Sequence, residues 1–319
     1  MTFSAKYQII IPVFNRREIT LKCLRQLASL IDRDDWKVCL VDDASTDGTA
    51  AAVSAEFPEV LVLEGTGNLY WTGVMELGMR HAVKTGAECC VWMNDDLQTD
   101  SHAIHAMVML AMERQAIVAA EGVVQHENRP PYYSPGFYRK THRLETRVLD
   151  LNALEPIPVD GCRGNMVAIP KSVIDVIGYP DSKNMPHYWG DVDYSLRATK
   201  VGIPCLITIQ ASFFEAETVR SDNRSWLLDS RSPCQVFQAT VSIKGMYYPR
   251  GLWVFGLRHW GWWGIYNFCF AYAKLSLICL LKWIVPRRVL LKLYAKRSHS
   301  FCVYEGISEG GFSLLENKC

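Results

Sequence analysis

The chain has 319 residues, of which 49% are apolar and 21% charged, and its formal net charge is +1. That length suits one large domain with an appendage, and the apolar share excludes a disordered chain. The charge balance leaves no global basic field to recruit nucleic acid, and no nucleic-acid-binding motif is present.

Eleven cysteines are irregularly spaced and form no C-x-x-C pair. They read as reduced, mostly buried thiols rather than a disulfide framework or a zinc site. The N-terminal apolar stretch is short and lacks a signal-peptide pattern, so a cytoplasmic chain is the expectation.

Residues 7–14 (YQIIIPVF) predict a buried strand. Leu21, Leu24, Leu27 and Ile31 then recur at helical spacing. Residues 37–41 predict a second strand, Asp47 and Thr49 open a helix that runs to Phe57, and residues 60–63 predict a third strand. Met75, Met79 and Ala82 mark a helical face ending at Gly86, and residues 89–93 (CCVWM) predict a fourth strand. Alternating strands and helices with continuously apolar strands imply an α/β fold, with a mainly parallel sheet covered on both faces. Residues 121–158 lose the periodicity and read as a long surface excursion. Order resumes with a strand at 166–169, a helix closing at Gly178, a helix over 191–201 and a strand at 205–209. Between Met246 and Lys292 the chain becomes aromatic-rich and predicts a helical extension. Residues 261–285 are strongly apolar yet interrupted by Lys274 and Lys282. An interfacial membrane surface is the preferred reading, ahead of plain core packing and a true span.

Four polar motifs follow predicted strands or open helices. Pro12, Phe14, Asn15 and Arg16 follow the first strand, and VDDASTDGT, with Asp42, Asp43 and Asp47, follows the second. Asp47 reads as a helix cap. Two adjacent buried carboxylates need partners, and a nucleobase N–H or a ribose hydroxyl would suit Asp42 and Asp43. Asn94-Asp95-Asp96 follows the fourth strand. Its carboxylates are hard oxygen ligands suited to Mg2+ or Mn2+ shared with phosphate oxygens. His187-Tyr188-Trp189-Gly190-Asp191-Val192-Asp193 opens the helix that carries Arg197. Asp193 would make a helix-surface pair with Arg197, worth about 0.3–0.5 kcal/mol. Asp191 has no such partner and is the better general base. Tyr188 and Trp189 could stack on a sugar face, although packing in the core is equally open to them.

These motifs, in this order over roughly residues 6–210, resemble glycosyltransferase family 2, an inverting family with the GT-A fold. The resemblance implies transfer of one sugar from a nucleotide-sugar donor to an acceptor hydroxyl. It places the donor nucleotide on Pro12, Phe14, Asn15, Asp42, Asp43, Asn68 and Asp95, with Asp43 on the base. Asp96, with Asp95 beside it, matches the D-x-D-type metal motif for Mg2+ or Mn2+. Asp191 matches the family's base, and Gly190 stands where relatives carry glutamate. GNLYWTG (67–73) and Gly164-Asn165 resemble the rhamnosyltransferase-like branch that acts on bacterial surface polysaccharides. Acceptor contacts then fall to Gly164, Asn165, Tyr188 and Trp189, and dTDP-rhamnose or a UDP-sugar is the implied donor. Phe213-Phe214-Glu215 replaces the histidine that many relatives offer as a further metal ligand. The expected organisation is a catalytic domain over 1–215, with a nucleotide-binding half over about 1–120 and an acceptor half over 121–215, then a helical, membrane-associating region over 216–319. The expected partners are the donor, a glycan or lipid-linked glycan acceptor and a membrane surface, at the cytoplasmic face; a homo-oligomer is left open. A sugar-phosphate nucleotidyltransferase and an inactive assembly scaffold are the competing readings.

Overall fold

A computed structural model describes residues 5–126, 129–133, 136–147, 153, 155–215 and 230–290. Residues 216–229 and 291–319 of the C-terminal region lie outside the described residues, as do parts of 127–154.

In chain order the elements are β1 (Tyr7–Val13), α1 (Arg17–Gln26), α2 (Ala28–Ile31), β2 (Trp36–Asp42), α3 (Thr49–Glu56), β3 (Leu61–Glu64), α4 (Tyr70–Lys84) and β4 (Cys89–Met93). Next come β5 (Leu97–Gln98), α5 (Ser101–Arg114), β6 (Ile117–His126), β7 (Arg129–Tyr133), β8 (Gly136–Arg139), β9 (Leu144–Arg147) and β10 (Ile157–Val159). The chain continues through β11 (Met166–Pro170), α6 (Lys171–Ile177), α7 (Gly190–Lys200) and β12 (Cys205–Glu215), and then α8 (Pro233–Val241), α9 (Pro249–Trp260) and α10 (Trp262–Ile284).

The main sheet runs in the order β10-β12-β6-β11-β4-β1-β2-β3, with β5 and β7 attached to β12 and β6. β4, β1, β2 and β3 are mutually parallel, and β11 enters antiparallel between β4 and β6. β1 alternates across the sheet: Ile9, Ile11 and Val13 face a core built with α1 and α5, while Ile10 faces one built with α4, α6 and α7. Both faces are thus covered, which is why the central strands read as unbroken apolar runs. From β1 the chain moves one way to β2 and later returns to β4 on the other side. That strand-order reversal opens a crevice at the carboxyl ends of β1 and β4, where ligands bind in such sheets.

Two sequence expectations need correction. Residues 121–158 are not a structureless excursion, because β6 to β10 occupy much of that stretch. Proline and aromatic interruptions hid the strand period. α5 also lies where no helix was predicted.

The C-terminal helices pack on the catalytic core through a third cluster, in which Met185, Val192, Leu196 and Phe255 join α7 to α9. Where α9 meets α10, Gly256 and Gly264 touch backbone to backbone; a Cβ on Gly264 would lie 2.2 Å from Gly256. α10 is not core. Of its residues only Gly264, Ala271 and Leu275 are buried, while Trp262 is 86% exposed and Trp283 is 79% exposed.

Candidate active site at the strand ends

The loops after β1 and β2 are stitched together. Asn15 donates its backbone N–H to Ser45 Oγ at 2.8 Å and accepts from the Thr46 N–H at 2.7 Å. Gly48, not Asp47, caps α3, and Asp47 beside it accepts from the backbone N–H groups of Thr49 and Arg17, the first residues of α3 and α1. Asn15 and Ala44 in the strand-end loops, Tyr70 at the start of α4 and Trp189 just before α7 take left-handed backbone conformations, with φ of 53°, 63°, 54° and 72°. Strained backbone of this kind collects at functional sites.

Asp42 and Asp43 are buried, and their partners are internal. Asp42 accepts from the Ser45 N–H at 2.9 Å. Asp43 accepts from the N–H groups of Gly67, Leu69 and Tyr70 at 2.7, 2.9 and 3.1 Å. Both carboxylates thus already have partners within the protein, and Asp43 fastens the GNLYW loop to β2. Asn68 on that loop and Phe14 after β1 are exposed, and Pro12 is the penultimate residue of β1.

The Asn94-Asp95-Asp96 loop is organised by Arg16. Arg16 bridges Asp95 and Asp96, at 3.0 Å to each. Asp95 also accepts from Thr20 Oγ1 at 3.2 Å, and its side chain is 1% exposed. Burial pushes Asp95 up to about 6, against the pull of Arg16. The side chain of Asp96 is 21% exposed and binds Arg16 through Oδ2. Among the described residues no group of three or more Asp, Glu, His or Cys gathers to hold a metal ion. The fit to Mg2+ or Mn2+ is nevertheless acceptable, because such ions take one or two carboxylates and fill up with phosphate and water oxygens. Asp96 can present an oxygen. Asp95 is enclosed by Arg16 and Thr20, which argues against the expected direct ligation by it.

A second strut links this loop to α7. Asn94 accepts from Trp71 Nε1 at 2.9 Å, and its backbone N–H donates to the Asn165 carbonyl at 2.9 Å. The neighbouring Gly164 donates its N–H to Asp191 Oδ2 at 2.8 Å. A Cβ on Gly164 would lie 2.4 Å from the Trp71 ring, so only glycine fits there. Asp191 Oδ1 accepts from the Val192 N–H at 2.8 Å. Burial raises the Asp191 carboxyl above its ordinary range, and the two N–H donors only partly offset this. Gly190 sits against Thr72: a Cβ would lie 2.2 Å from its hydroxyl, which leaves no room for the glutamate of relatives.

Asp193 overturns the surface-pair expectation. It is fully buried and accepts from Arg197 at 3.0 Å, from Arg258 at 2.8 Å and from His259 at 2.9 Å, while Arg258 also grips Asp181. Trp189 is half-buried: its ring packs on Phe255 at 4.8 Å and its indole N–H donates to the Met246 carbonyl at 3.0 Å, which fastens α9 to the start of α7. Tyr188 remains 42% exposed.

Two residues that sequence reasoning missed border the site. Glu121 pairs in register with Ser212, is 4% exposed, and its Oε1 has no hydrogen-bond partner; burial pushes it up to about 7. Lys244, from the turn between α8 and α9, lies over the Phe14 and Tyr70 rings. Neither belongs to a motif, so no sequence signal marks them.

A polar crevice at the switch point of a doubly covered sheet, with three carboxylates raised by burial, has the marks of an enzyme site. No curated protein matches the chain in sequence. Solved structures share its architecture. A mannosyltransferase of Pyrobaculum calidifontis, solved with GDP-Man and Mn2+, gives a TM-score of 0.50 at 18% identity, over 92% of this chain and 80% of that one. TarS 1–349 of S. aureus gives 0.52 at 12% identity, over 94% and 75%. GalNAc-T7, solved with UDP, GalNAc and Mn2+, gives 0.55 at 11% identity over 85% of this chain, which spans 57% of that one. Such low identities establish the GT-A-like fold alone. Sequence goes further, because residues 8–174, more than half the chain, match the profile described as Glycosyl transferase family 2. The strand-end loops and the sheet that carries them thus belong to a member of glycosyl transferase family 2, an enzyme that transfers a sugar from a nucleotide-sugar donor.

Proposed function

We propose that this chain is a metal-dependent, inverting glycosyltransferase that adds one sugar to a lipid-linked glycan at the cytoplasmic face of a bacterial membrane. The observation that carries this reading is Asp191, a carboxylate held at the first turn of α7 by two backbone N–H groups and joined through Gly164-Asn165 to the Asn94-Asp95-Asp96 loop. In the reaction the acceptor hydroxyl oxygen forms a bond to the anomeric carbon. The bond from that carbon to the donor's diphosphate oxygen breaks, and its electron pair leaves with the diphosphate. The acceptor proton passes to the Asp191 carboxylate. Inversion follows from this single displacement. Asp96, with Arg16 behind it, would hold Mg2+ or Mn2+, and the ion supplies positive charge to the departing diphosphate. Two structures of the same fold were solved with Mn2+, which agrees with this assignment.

The donor proposed first is dTDP-rhamnose, with a UDP-sugar second, on the likeness of the 67–73 and Gly164-Asn165 segments to rhamnosyltransferases. Pro12, Phe14, Asn15 and Asn68 would line the nucleotide, with Asp42 and Asp43 shaping its loops. Gly164, Asn165 and Tyr188 would border the acceptor. Residues 1–215 form the catalytic unit in this reading, and 216–319 place it at the membrane. Family membership sets aside the nucleotidyltransferase alternative, and the intact Asp96 and Asp191 disfavour an inactive scaffold.

A donor screen scoring nucleoside-diphosphate release tests the reading. Release should require Mg2+ or Mn2+, stop in excess EDTA and return when metal is added back. Full turnover in EDTA would remove the metal from the mechanism. Activity confined to purine-nucleotide donors would remove the proposed donors.

A further inference from the structure

Lys244 stands in the tight turn between α8 and α9, far in sequence from every motif. Its Nζ lies 5.7 Å from the Phe14 ring centre and 5.9 Å from that of Tyr70. Phe14 follows β1 and Tyr70 opens α4 at the end of the GNLY loop, so one ammonium spans two loops of the donor crevice. No carboxylate forms a salt bridge with Lys244 among the described residues, and its neighbours include these two rings and His187. An exposed cation over aromatic rings gains only about 0.5–1 kcal/mol, so packing alone is a weak reason for this placement.

The backbone that carries Lys244 is nonetheless fixed. The turn is closed by hydrogen bonds from Gly245 N–H to Ser242 O at 2.8 Å, from Tyr247 N–H to Thr240 O at 3.0 Å and from Tyr248 N–H to Gly245 O at 3.1 Å. Gly245 has no room for a side chain, since a Cβ would lie 2.1 Å from the Thr240 carbonyl. Met246, two residues beyond Lys244, accepts from Trp189 at the head of the helix that carries Asp191. The base and Lys244 are therefore held by one strut.

The charge at the crevice calls for such a group. Arg16 is already committed to Asp95 and Asp96. Among the described residues no third ligand joins these carboxylates to secure a cation. A donor diphosphate would meet one metal ion on one carboxylate, and it gains negative charge as it leaves. We propose that Lys244 is the protein's own cation for that diphosphate, reaching across Phe14 and Tyr70 from the C-terminal helices to bind its oxygens. The inference rests on the nucleotide-sugar reading above and adds a residue from outside the family-matched segment.

The test is binding by the full-length protein. UDP, dTDP, their monophosphates and the nucleosides are titrated into wild type, Lys244→Ala and Lys244→Arg, with Mg2+ and again with EDTA. Wild type should prefer diphosphate to monophosphate in both. Lys244→Ala should lose about ten-fold of that preference, the usual worth of a charge-assisted hydrogen bond, while nucleoside affinity stays unchanged and reports an intact fold. Lys244→Arg should recover most of the loss. An unchanged diphosphate preference in Lys244→Ala overturns the inference and leaves the donor reading standing. Failure of wild type to bind any of these nucleotides overturns the donor reading and the inference with it.

Discussion

Asp191 and Asp193 stand on one helical turn with opposite surroundings. Asp191 accepts from the Gly164 and Val192 N–H groups and feels the Arg163 charge, yet its burial outweighs these and raises its proton affinity. A base must be ionised to act, so turnover should fall as pH drops through a value above the ordinary carboxylate range, and a kcat–pH profile would read this acid limb. Asp191→Asn should lower kcat by about 10²–10⁴, the usual size of a general-base contribution. Nucleoside-diphosphate affinity should stay put, because the base acts on the acceptor. Wild-type turnover by this variant would move the base elsewhere, with His187 next in line. Glu121, within β6, is a further raised carboxyl besides Asp95 and Asp191; it is buried without a hydrogen-bond partner for Oε1 and stands in register with Ser212 on β12.

The element-scale consequence belongs to Asp193, which ties α7 to α9. With Arg197, Arg258 and His259 around it and no exposure, its loss removes the buried carboxylate that two part-buried guanidiniums and the buried His259 share. Asp193→Asn should cost about 3–5 kcal/mol, far above the value for a surface pair, and urea unfolding would measure it. A cost below about 1 kcal/mol would restore the surface-pair reading. The sequence could not disclose this, because i,i+4 spacing reveals Arg197 but not Arg258 or His259, which arrive more than sixty residues later. The same limit explains the rest. β1, β2 and β4 were legible because strands buried on both faces are continuous apolar runs, and β4 was read to the residue. β6 to β10 were not, since Pro130, Pro131 and Pro158 sit among aromatic and charged residues that blur the two-residue period. Asn94-Asp95-Asp96 and Asp191 were legible through local motifs. Lys244 and the Trp189–Met246 tie depend on contacts that no local pattern encodes.

On the scale of the whole molecule, α10 leaves a large apolar surface open. Trp263, Tyr266, Phe270, Leu277 and Ile284 recur at steps of three, four and seven residues and form one exposed stripe. Gly264, Ala271 and Leu275 are buried on its other side. A helix packed along one side and apolar along the other suits lying in the interface plane better than spanning, and Lys274, Arg287 and Arg288 are exposed near it. The protein should sediment with anionic liposomes at low salt, and replacing Trp262 and Trp283 together with alanine should weaken that binding without changing nucleotide affinity. Protein that stays in the supernatant with such vesicles would refute the interfacial reading. The buried ion cluster around Asp193 also has a bearing on how the enzyme is made. A nascent chain releases residues in order, at about 5–20 per second, so α7 emerges well before Arg258 and His259. Until they arrive, docking α7 would bury Asp193 with only Arg197 beside it. The Asp193 cluster is therefore complete only once the last turn of α9 has been made, and the helix that carries Asp191 shares its anchor with the α9–α10 hairpin and its exposed apolar stripe.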